Sequence, residues 1–103
     1  MRFQLVFSLG LSLVCAFPGF SLASETLADQ HACLNCHQVA KKSIGPSFKS
    51  IAAKYKGNAD ANQQLATKIV KGGSGVWGAV PMPPMAEVPP EELKQIVTWI
   101  LAQ

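Results

Sequence analysis

At 103 residues the chain has room for a single domain. Nine Lys and Arg against six Asp and Glu give a formal net charge of +3, which is not the balance of a nucleic-acid binder.

The chain opens on a stretch that reads as a secretory signal. Arg2 supplies a short positive start, Leu5 to Phe17 is almost wholly apolar and uncharged, and Pro18 and Gly19 break the run. Ser21-Leu22-Ala23 then offers the small residues that signal peptidase requires. This predicts a signal peptide over residues 1–23 and a mature, soluble domain over residues 24–103, delivered to the periplasm. The apolar run is shorter than the roughly 20 residues that span a bilayer, which argues against an uncleaved anchor and against stable membrane association. Val14 is too bulky for the residue that must precede a lipidated Cys15. Cys15 leaves with the signal, so the mature chain keeps only Cys33 and Cys36, with eight Lys and no Arg against six acids. A domain of that size has a marginal core and needs a staple.

After the signal the pattern is helix and loop, without a convincing strand. Ser24 suits the N-cap of a short first helix, with Glu25 in its first turn, running towards Ala32 and delivering Cys33. Cys33-Leu34-Asn35-Cys36-His37 follows, a C-x-x-C-H string that is the attachment signature of a covalent c-type haem. Two thiols on one turn can each add to a vinyl group on the same porphyrin edge. The adjoining imidazole then lies beneath the iron as proximal ligand. Val39 to Pro46 reads as a loop. Lys41, Lys42, Lys49, Lys54 and Lys56 gather just after the motif, either as a solvated face or as a docking patch for an acidic partner. Phe48, Ile51, Ala52 and Tyr55 share one face of a second helix that Gly57 stops. A third helix, Asp60 to Lys71, turns Leu65, Ile69 and Val70 inward. Leu93, Ile96, Val97, Ile100 and Leu101 form the stripe of a fourth, which Pro90 starts and whose dipole Glu91 and Glu92 complement.

Between the third and fourth helices, residues 72–90 hold four glycines and five prolines. A loop that long in so small a domain is functional or disordered. Its Val76, Trp77, Val80, Met82, Met85 and Val88 argue against disorder, and a haem is the natural body for them to pack upon. The mature chain has two methionines, Met82 and Met85, both within Pro81-Met82-Pro83-Pro84-Met85. Prolines remove backbone freedom, so this run can hold a weak iron–sulfur bond in place. Met82, with proline on both sides, is the preferred sixth ligand over Met85. A thioether there closes the iron and favours electron transfer.

Together, CLNCH, Ile44-Gly45-Pro46, GVWGAVPMPP from Gly75 to Pro84 and the terminal Thr98-Trp99-Ile100-Leu101 resemble the short bacterial class I cytochromes c of the c-551 group. The resemblance covers essentially all of residues 24–103. It implies an all-α fold of about four short helices wrapped around one haem c. It implies thioethers at Cys33 and Cys36, axial ligands His37 and Met82, and a Pro46 carbonyl accepting from His37 Nδ1–H. By the same resemblance, Trp77 would donate to a haem propionate, Lys68 would lie near it, and Trp99 would pack between the first and last helices. The family usually carries an aromatic five positions before the first cysteine. Here Ala28 stands there, which implies a thinner helix contact. His31 replaces a frequent lysine and reads as a surface residue beside the haem edge.

The resulting expectation is a monomeric electron carrier, not an enzyme, cycling Fe(III)/Fe(II) and docking transiently with redox proteins. A quinol-oxidising cytochrome complex would be its donor, and a nitrite reductase or terminal oxidase its acceptor. The alternative is a haem sensor or peroxidase-like enzyme with an open sixth site, but no Arg or distal His stands near the methionine loop. Zinc held by His31, Cys33, Cys36 and His37 would need seven contiguous residues to wrap a tetrahedron. A thioredoxin-like C-x-x-C lacks its βαβ context.

Overall fold

The computed structural model describes residues 10, 12–15 and 19–103, so Arg2 and most of the Leu5–Phe17 run of the predicted signal lie outside the described residues. Four helices follow in order: α1 (Gly19–Gln30), α2 (Phe48–Tyr55), α3 (Ala61–Lys71) and α4 (Pro90–Leu101), with a short 3-10 turn at Cys33–Asn35. Helix α4 is the hub, packing against α1, α2 and α3. Among the described residues, no helix is long and apolar enough to cross a membrane.

The first helix departs from expectation. It begins at Gly19, and Ser24 is buried within it rather than capping it. Leu22 and Ala23 are good helix formers, so in the full chain the helix propagates past Ser24. It ends through Ala32, which adopts a left-handed conformation (φ 60°, ψ 17°) and turns the chain into the cysteine motif. Ala28 is completely buried. Just beyond the end of α1, His31 Nε2 lies 3.0 Å from Glu92 Oε2 at the start of α4. That pair is partly exposed and adds about 1 kcal/mol or less.

Helix α2 starts at the Ser47 cap, whose hydroxyl accepts from the Ser50 amide at 3.1 Å. Its Phe48 and Ile51 face the core, as do Leu65 and Ile69 of α3 and Leu93, Ile96, Val97, Trp99 and Ile100 of α4. Phe48, Ile96 and Val97 are the largest side chains buried almost completely. Each contributes roughly 1.5–3 kcal/mol by leaving water. Val70 is only half-buried. Pro90 opens α4 at its first position, where its missing N–H costs nothing, with Glu91 and Glu92 in the first turn.

The stretch from Gly72 to Pro89 forms no strand. An isolated antiparallel bridge joins Gly73 to Met82, with both amides bonded across it at 3.0 and 2.8 Å. A turn closes Gly75 onto Gly78, and the Met85 amide bonds the Ile69 carbonyl of α3. Val88 is buried, Met82 and Met85 are half-buried against the core, and Val76, Trp77 and Val80 are exposed.

Candidate haem-binding site

Cys33 and Cys36 are both free thiols and both half-buried, at the start and the end of the tight turn after Ala32. The Cys36 and His37 amides bond the Cys33 carbonyl at 3.2 and 3.0 Å, so the motif forms one compact corner. Burial raises the Cys33 thiol above its ordinary range, partly offset by a backbone hydrogen bond. The folded chain therefore favours the protonated thiol there.

The loop after the motif folds back beneath His37. The Gly45 amide donates to the Cys36 carbonyl at 2.8 Å, and the Phe48 and Lys49 amides donate to Gln38 and Val39. This brings the Pro46 carbonyl oxygen to 2.7 Å from His37 Nδ1. A carbonyl can only accept, so Nδ1 carries the hydrogen. In the neutral ring the lone pair then sits on Nε2, which has no hydrogen-bond partner among the described residues.

Two further residues hold the ring. A Cβ at Gly45 would lie 2.5 Å from His37 Cε1 and 2.8 Å from Nδ1, so only glycine lets the loop pass so close. Phe48 stacks on the ring with centroids 5.4 Å apart, and Trp99 meets Phe48 edge-on at 5.0 Å. Aromatic contacts thus link His37 through α2 to the hub helix. Trp99, on α4, makes this ring contact with α2.

Met82 lies on the loop between α3 and α4. Cys33, Leu34, Met82 and Met85 all pack half-buried against the same core cluster, so the topology brings motif and methionine loop to one body. Both methionines are held by backbone hydrogen bonds, Met82 to Gly73 and Met85 to Ile69. The Trp77 ring lies under the Lys54 ammonium, 5.7 Å from its centroid. Lys68 Nζ lies against Gly73, where a Cβ would come within 2.8 Å of it. Lys41, Lys42, Lys49, Lys54 and Lys56 are all exposed and make no ion pair among the described residues.

This donor set fits a haem. It offers two free thiols on one turn, an imidazole with an oriented ring and an uncommitted Nε2, and two thioethers on the loop between α3 and α4. Exposed apolar groups such as Ile44, Val76 and Val80 add surface for a disc to cover. Zinc fits worse: among the described residues, no three His, Cys, Asp or Glu side chains converge as a metal cluster, and His31 is engaged with Glu92. Gly45, Phe48 and the Lys54–Trp77 contact escaped the sequence reading. Gly45 was quoted beside Pro46 and Phe48 stood on the α2 stripe, but their contact with His37 arises only when the loop folds back.

A covalent-haem corner on a four-helix body defines a small c-type haem protein, and comparison with known proteins agrees. The cytochrome c family model matches residues 22–103. Cytochrome c-552 of Hydrogenobacter thermophilus is 46% identical over 101 residues, spanning 98% of this chain and 96% of its own. Cytochrome c-551 of Allochromatium vinosum is 48% identical over 81 residues, 79% of this chain and 86% of its own. The crystal structure of Nitrosomonas europaea cytochrome c552 superposes with a TM-score of 0.73 at 47% identity, covering 76% of this chain and 96% of that one. The chain belongs to the cytochrome c family. It is a haem-based electron carrier whose cofactor is covalently bound haem c.

Proposed function

We propose that the protein is an exported carrier that shuttles single electrons through one haem c with His37–Met82 axial ligation. The observation that carries this reading is the 2.7 Å contact from His37 Nδ1 to the Pro46 carbonyl, with Gly45 against the ring. It fixes the tautomer, strengthens the imidazole as a donor and leaves Nε2 for the iron. Cys33 and Cys36 hold the haem by thioethers, each S–H adding across a vinyl double bond. Bound there, the haem supplies a one-electron Fe(III)/Fe(II) couple.

The chain's own task is to keep both axial groups in place in either oxidation state. On the first side, Phe48 and Trp99 resist movement of His37. On the second, Pro81, Pro83 and the Gly73 bridge restrain Met82. Trp77 donates its indole N–H to a propionate. The exposed lysines from Lys41 to Lys56 favour transient docking with an acidic surface, on a quinol-oxidising complex as donor and on a nitrite reductase or terminal oxidase as acceptor. Residues 1–23 act as the export signal, a reading supported by the family match beginning at residue 22. Cleavage after Ala23 makes Ser24 the first residue of α1 in a soluble periplasmic monomer.

The test is a visible spectrum of the matured protein and two variants. Met82→Ala is expected to abolish the weak far-red ferric sulfur-to-iron band and to admit peroxide at the iron, whereas Met85→Ala leaves the band nearly unchanged. The reverse result moves the ligand to Met85. Absence of the band in the unmodified protein favours a sensor or peroxidase-like role.

A further inference from the structure

The tip of the methionine loop beyond Gly73 has few anchors. Residues 73–81 are all exposed, so no buried apolar side chain holds the tip down. Among the described residues, its backbone hydrogen bonds to other backbone are those of the Gly73–Met82 bridge and the Gly75–Gly78 turn. Gly72, Gly73, Gly75 and Gly78 all have positive φ, and such residues lose the most freedom on being ordered. Trp77 is the one large ring on this tip, and it is 43% exposed. What meets that ring is the ammonium of Lys54, 5.7 Å from the centroid, within the range of a cation–π attraction.

Lys54 stands on firm ground. It belongs to the last turn of α2, a helix capped by Ser47 and fixed to the hub by Phe48 and Ile51. The same helix carries the Phe48 ring that stacks on His37. Helix α2 therefore reaches both sides of the site, His37 through Phe48 and the Met82 loop through Lys54 and Trp77.

We propose that Lys54 is a positioning residue that pins the Met82-bearing loop to α2 through the face of Trp77. The inference rests on the proposed Met82 ligation for its effect at the iron, but the pin itself does not. With the ammonium in place, Trp77 keeps one orientation and the loop stays closed over Met82. Without it, the tip opens more often and the sixth position becomes easier to invade.

The experiment uses the matured holoprotein and compares Lys54→Met, Lys54→Arg, Trp77→Leu and the Lys54→Met/Trp77→Leu double variant. Two readouts are taken. One is the affinity of added imidazole for the ferric iron, followed by loss of the far-red band. The other is hydrogen exchange at the Trp77 indole N–H by NMR, which does not depend on what fills the sixth position. A cation–π contact at an exposed site corresponds to about a three-fold effect, so Lys54→Met is expected to tighten imidazole binding and speed exchange by about that factor. Lys54→Arg, which keeps a cation over the ring, restores both. In the Trp77→Leu background, Lys54→Met changes imidazole affinity no further.

Equal effects of Lys54→Met with and without Trp77 would overturn the pin and leave only a through-space charge effect. Unchanged indole exchange in Lys54→Met would overturn it as well. If the unmodified protein lacks the far-red band, the Met82 ligation has failed instead, and indole exchange alone decides for or against Lys54.

Discussion

The surroundings of His37 and of Met82, the two proposed ligands, are built in opposite ways. Around His37 the chain spends packing: a ring held by Pro46, pressed on Gly45, stacked on Phe48 and backed by Trp99, with the last two side chains nearly fully buried. Around Met82 it uses covalent geometry, with prolines on either side, glycines at the turns, one bridge and an otherwise exposed tip. The first side resists by crowding, since moving the ring collides with core. The second resists by having few conformations to visit. With Met82 as the proposed second ligand, a carrier needs both ligands fixed, and the iron–sulfur bond would be the weaker. That side is therefore where substitutions should loosen ligation without unfolding the protein.

The strongest way to break the contrast is Gly45→Ala. Gly45 does not need a left-handed backbone; it needs an absent side chain, because an added Cβ would reach three atoms of the His37 ring. The ring cannot give way without surrendering the Pro46 bond and its place on Phe48. Overpacking of about 1–3 kcal/mol is joined by roughly 0.5–1.5 kcal/mol for the lost hydrogen bond. A large fall in recovered holoprotein, measured as haem absorbance per mole of chain, is the expected outcome. Normal yield with an unshifted spectrum would mean that the loop yields instead of the ring.

The matching change on the second side is Gly72→Ala. Gly72 has φ 65° and ψ −157°, a conformation open essentially to glycine. Its Cβ would also meet the Met82 carbonyl oxygen and, at 2.8 Å, the backbone of Pro83 and Pro84. Backbone flanked by proline cannot step aside cheaply. About 1–3 kcal/mol of strain is expected. It should appear as a weakened far-red band, with covalent haem content and helical circular dichroism nearly unchanged. A loss of haem content equal to that of Gly45→Ala would erase the distinction between the two sides.

Much of this was legible in the sequence, and the exceptions share a cause. The apolar stripes of α2, α3 and α4, the Gly57 stop and the Pro90 start followed from spacing, since period and breakers are local properties. So did the gathering of Cys33, Cys36 and His37, which chain neighbourhood almost guarantees. The start of α1 was not legible, because a predicted cleavage point carries no information about how far a helix propagates in the uncleaved chain. Nor was the pairing of His31 with Glu92, two residues 61 apart that meet only once α1 crosses α4. Ala28 read as a thin spot because its family position usually bears an aromatic, yet a small buried residue also lets two helices lie closer. Phe48 against His37 and Lys54 over Trp77 are contacts between elements, and no single-chain periodicity encodes them.

The smallest expected effect sharpens the comparison by reversing its sign. On the Met82 side every residue with positive φ is glycine, whereas the corner leading into Cys33 is turned by Ala32, the one non-glycine residue with positive φ among the described residues. A Cβ in that conformation costs about 1–2 kcal/mol. Ala32 is exposed, so its methyl group returns little by burial. Ala32→Gly relieves the strain but gives the unfolded chain more freedom, worth about 0.5–1 kcal/mol. The balance predicts a holoprotein stabilised by about 0.5–1 kcal/mol, a rise of a few degrees in Tm for a domain of this size. The far-red band should not change, because the corner lies before the haem motif and makes no backbone hydrogen bond with the methionine loop among the described residues. A lower Tm would mean that the stiffness of Ala32 matters more than its strain. The His37 side would then also owe part of its rigidity to restricted backbone, as the Met82 side does.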